Sequence, residues 1–198
     1  MPDLPLRCSG LVFMARVFET IDDSLAAWIG RQQMFFVATA PLAATGSVNC
    51  SPKGLDTLRI LGPNEVAYVD LGGSGIETVA HLKENGRIVL MFCAFEGNPR
   101  ILRLHGSGTV IERDHPEFST LLATFPAQPV CRNLIRIKVK RIADSCGWGV
   151  PRYDYLGQRD EIARAVADKT PDQLRAKAAR QNRHSIDGLD GLNIDALK

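Results

Sequence analysis

The sequence predicts a mainly β, antiparallel barrel with helical additions, an α+β chain. Three observations carry this. Several extended, apolar-rich runs follow one another through short turns, as hairpins do. The helical stretches are inserted among them, without the regular strand–helix alternation that a doubly wound parallel sheet needs. The run 101–111 alternates, with Leu102, Leu104, Gly106, Gly108 and Val110 on one face and Arg103, His105, Ser107 and Thr109 on the other. Its glycines suit a sharply bent strand, the kind a closing barrel requires.

Each element has a local cause. Asp22-Asp23-Ser24 offers N-caps for a helix over 25–32, with Leu25, Trp28 and Ile29 as its apolar stripe and Trp28 as a core anchor. Residues 34–39 form a buried strand. The turn 41–46 returns the chain as the strand 47–51, and 56–60 is a further short extended piece. The strand 65–71 leads through Gly72-Gly73-Ser74-Gly75 into a helix over 76–85, which Gly86 stops. Residues 87–95 are apolar enough to be covered on both faces. A short helix at 116–125 precedes the strand 134–142, in which Ile135, Ile137 and Val139 alternate with Arg136, Lys138 and Lys140. The loop 146–151, two polar helices near 159–168 and 171–183, and a loose tail at 188–198 complete the chain.

At 198 residues and 45% hydrophobic, the chain suits one domain with a sizeable core and room for an arm. A net charge of +2 argues against a dedicated nucleic-acid surface. No apolar run has membrane-spanning length, and the patch 11–15 is too short for a signal peptide, so the expected location is cytoplasmic. Met14 is a second candidate start, which would leave 1–13 as a loose arm. The five cysteines, at 8, 50, 93, 131 and 146, include no Cys-x-x-Cys, so neither a disulfide framework nor a metal site is expected. His81, His105, His115 and His184 do not stand at metal-ligand spacing, and His81 and His105 read as solvent-facing or structural.

The chemistry concentrates in Val48-Asn49-Cys50-Ser51-Pro52-Lys53-Gly54, at the end of a strand. It collects small polar side chains and one cation, Lys53, a point charge suited to a phosphate. Alone, this is also what an ordinary strand followed by a Pro-Lys-Gly turn looks like. The glycine-rich turn 72–75 opens a helix, whose free N–H groups make a second anion-friendly element. Two such elements on consecutive strands suggest one ligand with a phosphate. Ser51 before Pro52 reads as a ligand contact, since no nucleophile elbow is present. Cys50 would be reactive only if Lys53 lowered its pKa.

Four segments come in a telling order: Phe35-Phe36-Val37-Ala38-Thr39, the Val48–Gly54 stretch, Ala80-His81-Leu82-Lys83-Glu84-Asn85-Gly86, and Arg100-Ile101-Leu102-Arg103-Leu104-His105-Gly106. Together they resemble the pyridoxamine 5′-phosphate oxidase-like, FMN-binding split-barrel family. The resemblance implies a six-stranded antiparallel split β-barrel over 22–145, an N-terminal arm over 1–21 and a helical extension over 146–198. It implies a homodimer with FMN at the interface, no nucleic-acid or membrane partner, and a flavin-dependent oxidoreductase acting on a small molecule. A non-catalytic flavin carrier or sensor, or an F420-dependent reductase, are the alternatives. Carried over, Asn49, Cys50, Ser51, Pro52 and Lys53 would run along the flavin, Ser74 and Thr78 would hold the second phosphate position, and Arg103 would reach in from the opposite wall or the other subunit. Trp148, between Gly147 and Gly149, would shield the flavin with Tyr153 and Tyr155, or else plug the core. Relatives that bind haem leave His81 and His105 as candidate axial ligands. Two departures exclude the genuine oxidase. Glu77 and Thr78 stand where those enzymes carry basic residues, and the chain ends Asp187-Gly188-Leu189-Asp190-Gly191-Leu192 in place of an Arg- and His-bearing motif. No catalytic residue is assigned.

Overall fold

The computed structural model describes residues 16–127 and 130–194. The second candidate start at Met14, the arm 1–13 and Cys8 lie outside the described residues. In chain order the elements are β1 (Val17–Phe18), α1 (Asp23–Gly30), β2 (Phe35–Thr39), β3 (Asn49–Lys53), β4 (Leu58–Gly62), β5 (Glu65–Leu71), α2 (Glu77–Asn85), β6 (Arg87–Cys93), β7 (Ile101–Ile111), α3 (Phe118–Leu122), β8 (Cys131–Ser145), α4 (Glu161–Val166) and α5 (Pro171–Gln181). The helix ends follow local chemistry. Asp22 accepts from the Leu25 amide at 2.8 Å to cap α1, and Gly86 ends α2 at φ 71°, where a side chain would be strained. A reciprocal capping box of Thr170 and Gln173 with Pro171 opens α5.

The expectation of a six-stranded split β-barrel is overturned. Eight strands form one antiparallel sheet in the order β3-β2-β6-β7-β8-β5-β4, with β1 added to β8, and β3 and β4 are left as its two unjoined ends. Two features account for this. The fifteen-residue β8 pairs with β7 along one edge and shares the other between β5 and β1, with Val17 opposite Ala143 and Glu65 opposite Lys138. Between β3 and β4 the chain turns through Leu55 and Asp56, both left-handed at φ 62° and 52°, and no ladder forms across that turn. The strand glycines act locally instead. A Cβ on Gly106 would collide with the Lys138 carbonyl, at the point where the β7–β8 register shifts. A Cβ on Gly108 would meet Leu82 at 2.9 Å, so its absence seats α2 on the sheet.

The main core gathers Leu25, Ile29, Val37, Tyr68, Leu90, Phe92, Ile135 and Ile137. A smaller cluster of Val69, Ile111, Phe118, Phe125 and Leu134 fills the space under α3. Trp28 packs against the main core only half-buried, with the Arg100 guanidinium 4.9 Å above its ring. Ile88, Leu90 and Phe92 of β6 are buried, while on the other face Val89 and Met91 are half-buried and Cys93 is buried, so that face is covered only in part among the described residues. The described part of the tail docks where a loose segment was expected. Asp187 accepts from the Ser47 amide and hydroxyl at 2.7 and 2.9 Å, and Leu192 is buried. Among the described residues, no helix is long and apolar enough to cross a membrane.

Candidate functional site

Strand β3 is an edge strand, which is why Pro52 is tolerated within it. The strand's two-residue period turns Asn49, Ser51 and Lys53 inward and leaves Cys50 and Pro52 exposed on the opposite face. Asn49 lies directly across from Thr39 of β2. Its amide donates to Thr39 Oγ1 at 3.2 Å and to Thr78 Oγ1 of α2 at 2.9 Å, and its Oδ1 accepts from the Ser51 hydroxyl at 3.0 Å. Thr78 and His81 share one face of α2. His81 Nδ1 is 2.9 Å from Thr39 Oγ1. Thr39 Oγ1 can donate to Nδ1 or accept from it, so this contact is compatible with either tautomer. His81 is fully buried and its Nε2 has no partner among the described residues. Burial pushes its pKa down, against an opposing pull from Asp187, Glu77 and Glu84, so the ring is held neutral.

Beside this network lies a charged triad. Asp70 of β5 is fully buried and accepts from Arg132 Nε at 3.0 Å and Nη2 at 2.7 Å, while Lys53 Nζ is 3.4 Å from its other oxygen. Arg132 Nη1 also donates to the Gly75 carbonyl at 2.8 Å, so the same guanidinium fixes the glycine-rich turn. Two cations on one carboxylate leave the cluster net positive. Tyr68 precedes Asp70 on the same strand face, and burial, followed by the Asp70 charge, raises its pKa well above the phenol range. The Tyr68 hydroxyl and both amide atoms of Asn133, which lies across from Asp70, are buried without a partner among the described residues.

The structure thus joins Asn49, Ser51 and Thr78 directly and sets Lys53 beside them through Asp70. It does not gather the other sequence candidates. Ser74 is exposed, and its carbonyl accepts from Asn182 at 3.4 Å. Glu77 folds over Gly75, where a Cβ would lie 2.5 Å from Oε2, so a carboxylate occupies the start of α2. Arg103, three strands from β3 in the sheet order, donates to Ser145 at 3.1 Å. Trp148 is 66% exposed, which overturns the core plug. Thr39, Asp70 and Arg132 were not singled out by the sequence; Asp70 and Arg132 are 62 residues apart, and each reads locally as an ordinary strand residue.

The profile described as pyridoxamine 5′-phosphate oxidase matches residues 21–146, well over half of the chain. The chain belongs to the pyridoxamine 5′-phosphate oxidase family. A curated relative, the pyridoxamine 5′-phosphate oxidase family protein ustO of Aspergillus flavus, is 41% identical over 141 residues. That match takes in 69% of this chain but only 56% of ustO, so the chain spans little more than half of that relative's length. Among solved structures, HupZ of Group A Streptococcus superposes with a TM-score of 0.51 at 19% identity, covering 68% of this chain and 99% of HupZ. A histidine-to-alanine variant of HupZ gives a TM-score of 0.51 at 21% identity over 63% of this chain and 99% of that one. At such identities these two show a shared fold only. Family membership supports a flavin-related function in general.

Proposed function

We propose that this protein binds FMN and is a flavin-dependent oxidoreductase for a small molecule, acting as a homodimer. The observation that carries the reading is the 2.9 Å hydrogen bond from Asn49 to Thr78, which brings the strand end and the helix start to one place. The residues there fit a phosphate-bearing cofactor. Lys53 and Arg132 exceed Asp70 by one positive charge, and Ser51 and Thr78 add hydroxyls. The fit is poorer at the start of α2, where Glu77 already sits over Gly75. Lys53 and Ser51 would therefore hold the phosphate, with Asn49 keeping the strand in register and Arg132 holding the glycine-rich turn. When bound, the flavin supplies the redox chemistry. The chain's own part is to bind, to orient and to exclude water, with a neutral His81 bracing the wall. Pyridoxamine phosphate is disfavoured as substrate, because the segment 187–192 is engaged in docking the tail through Asp187 and Leu192.

The test has two steps. Mass spectrometry of the ligand released from natively purified protein should give FMN; a deazaflavin mass would replace the cofactor assignment. Steady-state turnover with reduced nicotinamide and an electron acceptor should then exceed that of free FMN, and turnover no faster than free FMN would reduce the protein to a carrier or sensor.

A further inference from the structure

A second cavity, of about 590 Å³, lies between α4, α5 and the Gly72–Gly73 turn. That volume falls in the roughly 300–1,000 Å³ range of small-molecule sites. Its charge is one-sided: Arg113, Arg132, Lys169, Arg175 and Lys177 line it, and no Asp or Glu does. Arg113 is spent on the Cys131 carbonyl, and Arg132 on Asp70 and Gly75. Among the described residues Arg175 and Lys169 pair with Asp172 and Asp168, whose side chains are 85% and 76% exposed; such pairs contribute little energy, so an incoming acid group can compete for these cations. Lys177 makes no ion pair among the described residues. Ile162, Val166 and Leu174 of the same two helices add an apolar lining, and neither α4 nor α5 has a buried residue. The lining is nevertheless fixed in place. Asn182 donates to the Gly73 carbonyl at 3.1 Å, clamping the end of α5 to the turn, and the capping box fixes its start.

Converging cations beside uncovered aliphatic side chains are complementary to one chemical class. We propose that this cavity binds a small amphipathic anion, an acid group against the lysines and arginines and an aliphatic body against α4 and α5. The cavity shares Arg132 and the glycine-rich turn with the β3 site, but Lys169, Arg175 and Lys177 lie outside that site, so the proposal does not depend on the flavin reading.

The test is calorimetric titration of the full chain with octanoate, with octan-1-ol and with inorganic phosphate. Octanoate should bind at one site per chain, and the alcohol and phosphate at least about tenfold more weakly, since a hydrogen bond to a charged group has that weight. Lys169→Gln/Lys177→Gln, a change at two exposed positions, should weaken octanoate by about tenfold or more while the alcohol and the melting temperature stay put. Lys177→Gln alone should show part of the loss. Saturating FMN should leave octanoate affinity unchanged. No saturable octanoate binding, equal binding of acid and alcohol, indifference to the lysine substitutions, or displacement by FMN would each overturn the proposal, the last by making the cavity part of the flavin site.

Discussion

The β3 wall and the loop after β8 were both expected to face one ligand, yet they are built in opposite ways. The wall is cross-linked: Asn49, Ser51, Thr39, Thr78 and His81 Nδ1 hydrogen-bond one another, and Asp70 is fully buried between two cations. The loop is open. Gly147 at φ 70° packs on the Arg100 backbone, and the Tyr153 amide donates to the Phe95 carbonyl at 3.0 Å, but Trp148, Tyr153 and Tyr155 stay exposed. A ligand meeting the wall finds donors already in position, at little ordering cost. The proposed reading therefore draws its binding energy from the wall, and the exposed aromatic side chains of the loop can be changed at little cost to the fold.

Substitutions can break that contrast. Asp70→Ala strips a buried guanidinium of its partner and should cost about 3–5 kcal/mol of stability in urea unfolding. A loss under about 1 kcal/mol would mean that Arg132 finds another acceptor and that the triad is not structural. Asn49→Ala leaves three hydroxyls to find new partners and should cost about 1–3 kcal/mol by the same assay.

The pH dependence follows from His81, whose folded pKa lies below its unfolded value near 6.5. Below that value the unfolded chain binds the proton that the folded chain refuses, so stability is full above about pH 6.5 and falls as pH drops through the depressed pKa. His105 is depressed too, by burial and by Arg103 and Arg141, so His81→Asn should remove part of the slope and leave a remainder. An unaltered slope would place the titration elsewhere. The smallest effect is expected in the loop. Trp148→Ala should move apo-protein stability by no more than about 0.5 kcal/mol. FMN should quench Trp148 fluorescence if the indole stands over the flavin; absence of quenching would detach the loop from the site.

Much of this was legible in the sequence, and the gaps have physical reasons. The convergence of the 49–53 strand with the helix after Gly75 could be read, because small polar residues, a cation and a glycine-rich helix start are local signals. The caps at Asp22 and Gly86 were equally local. The Asp70–Arg132 pair was hidden because side-chain alternation gives the face of a strand and not its depth. Strand β8 begins three residues before the alternating run, at Cys131: Arg132 and Asn133 interrupt the apolar pattern, while Cys131 and Asn133 still pair with β5 across a register shift at Arg132. The open sheet was illegible for a related reason. Leu55 and Asp56 adopt a left-handed turn that favours glycine, so nothing in their identity announces it. The docked tail depends on close approach: a Cβ on Gly191 would collide with the Asn182 carbonyl, and in the sequence that glycine is one of several in a polar stretch.

The central claim is that the inward face of β3 holds a phosphate-bearing flavin through Lys53. Its most direct test is to titrate apo-protein and Lys53→Ala in parallel with FMN and with riboflavin, which lacks the phosphate. The expected result is FMN binding weakened by about 1.5–3 kcal/mol in Lys53→Ala, with riboflavin affected much less. Equal losses for the two ligands, or no loss for FMN, would contradict it.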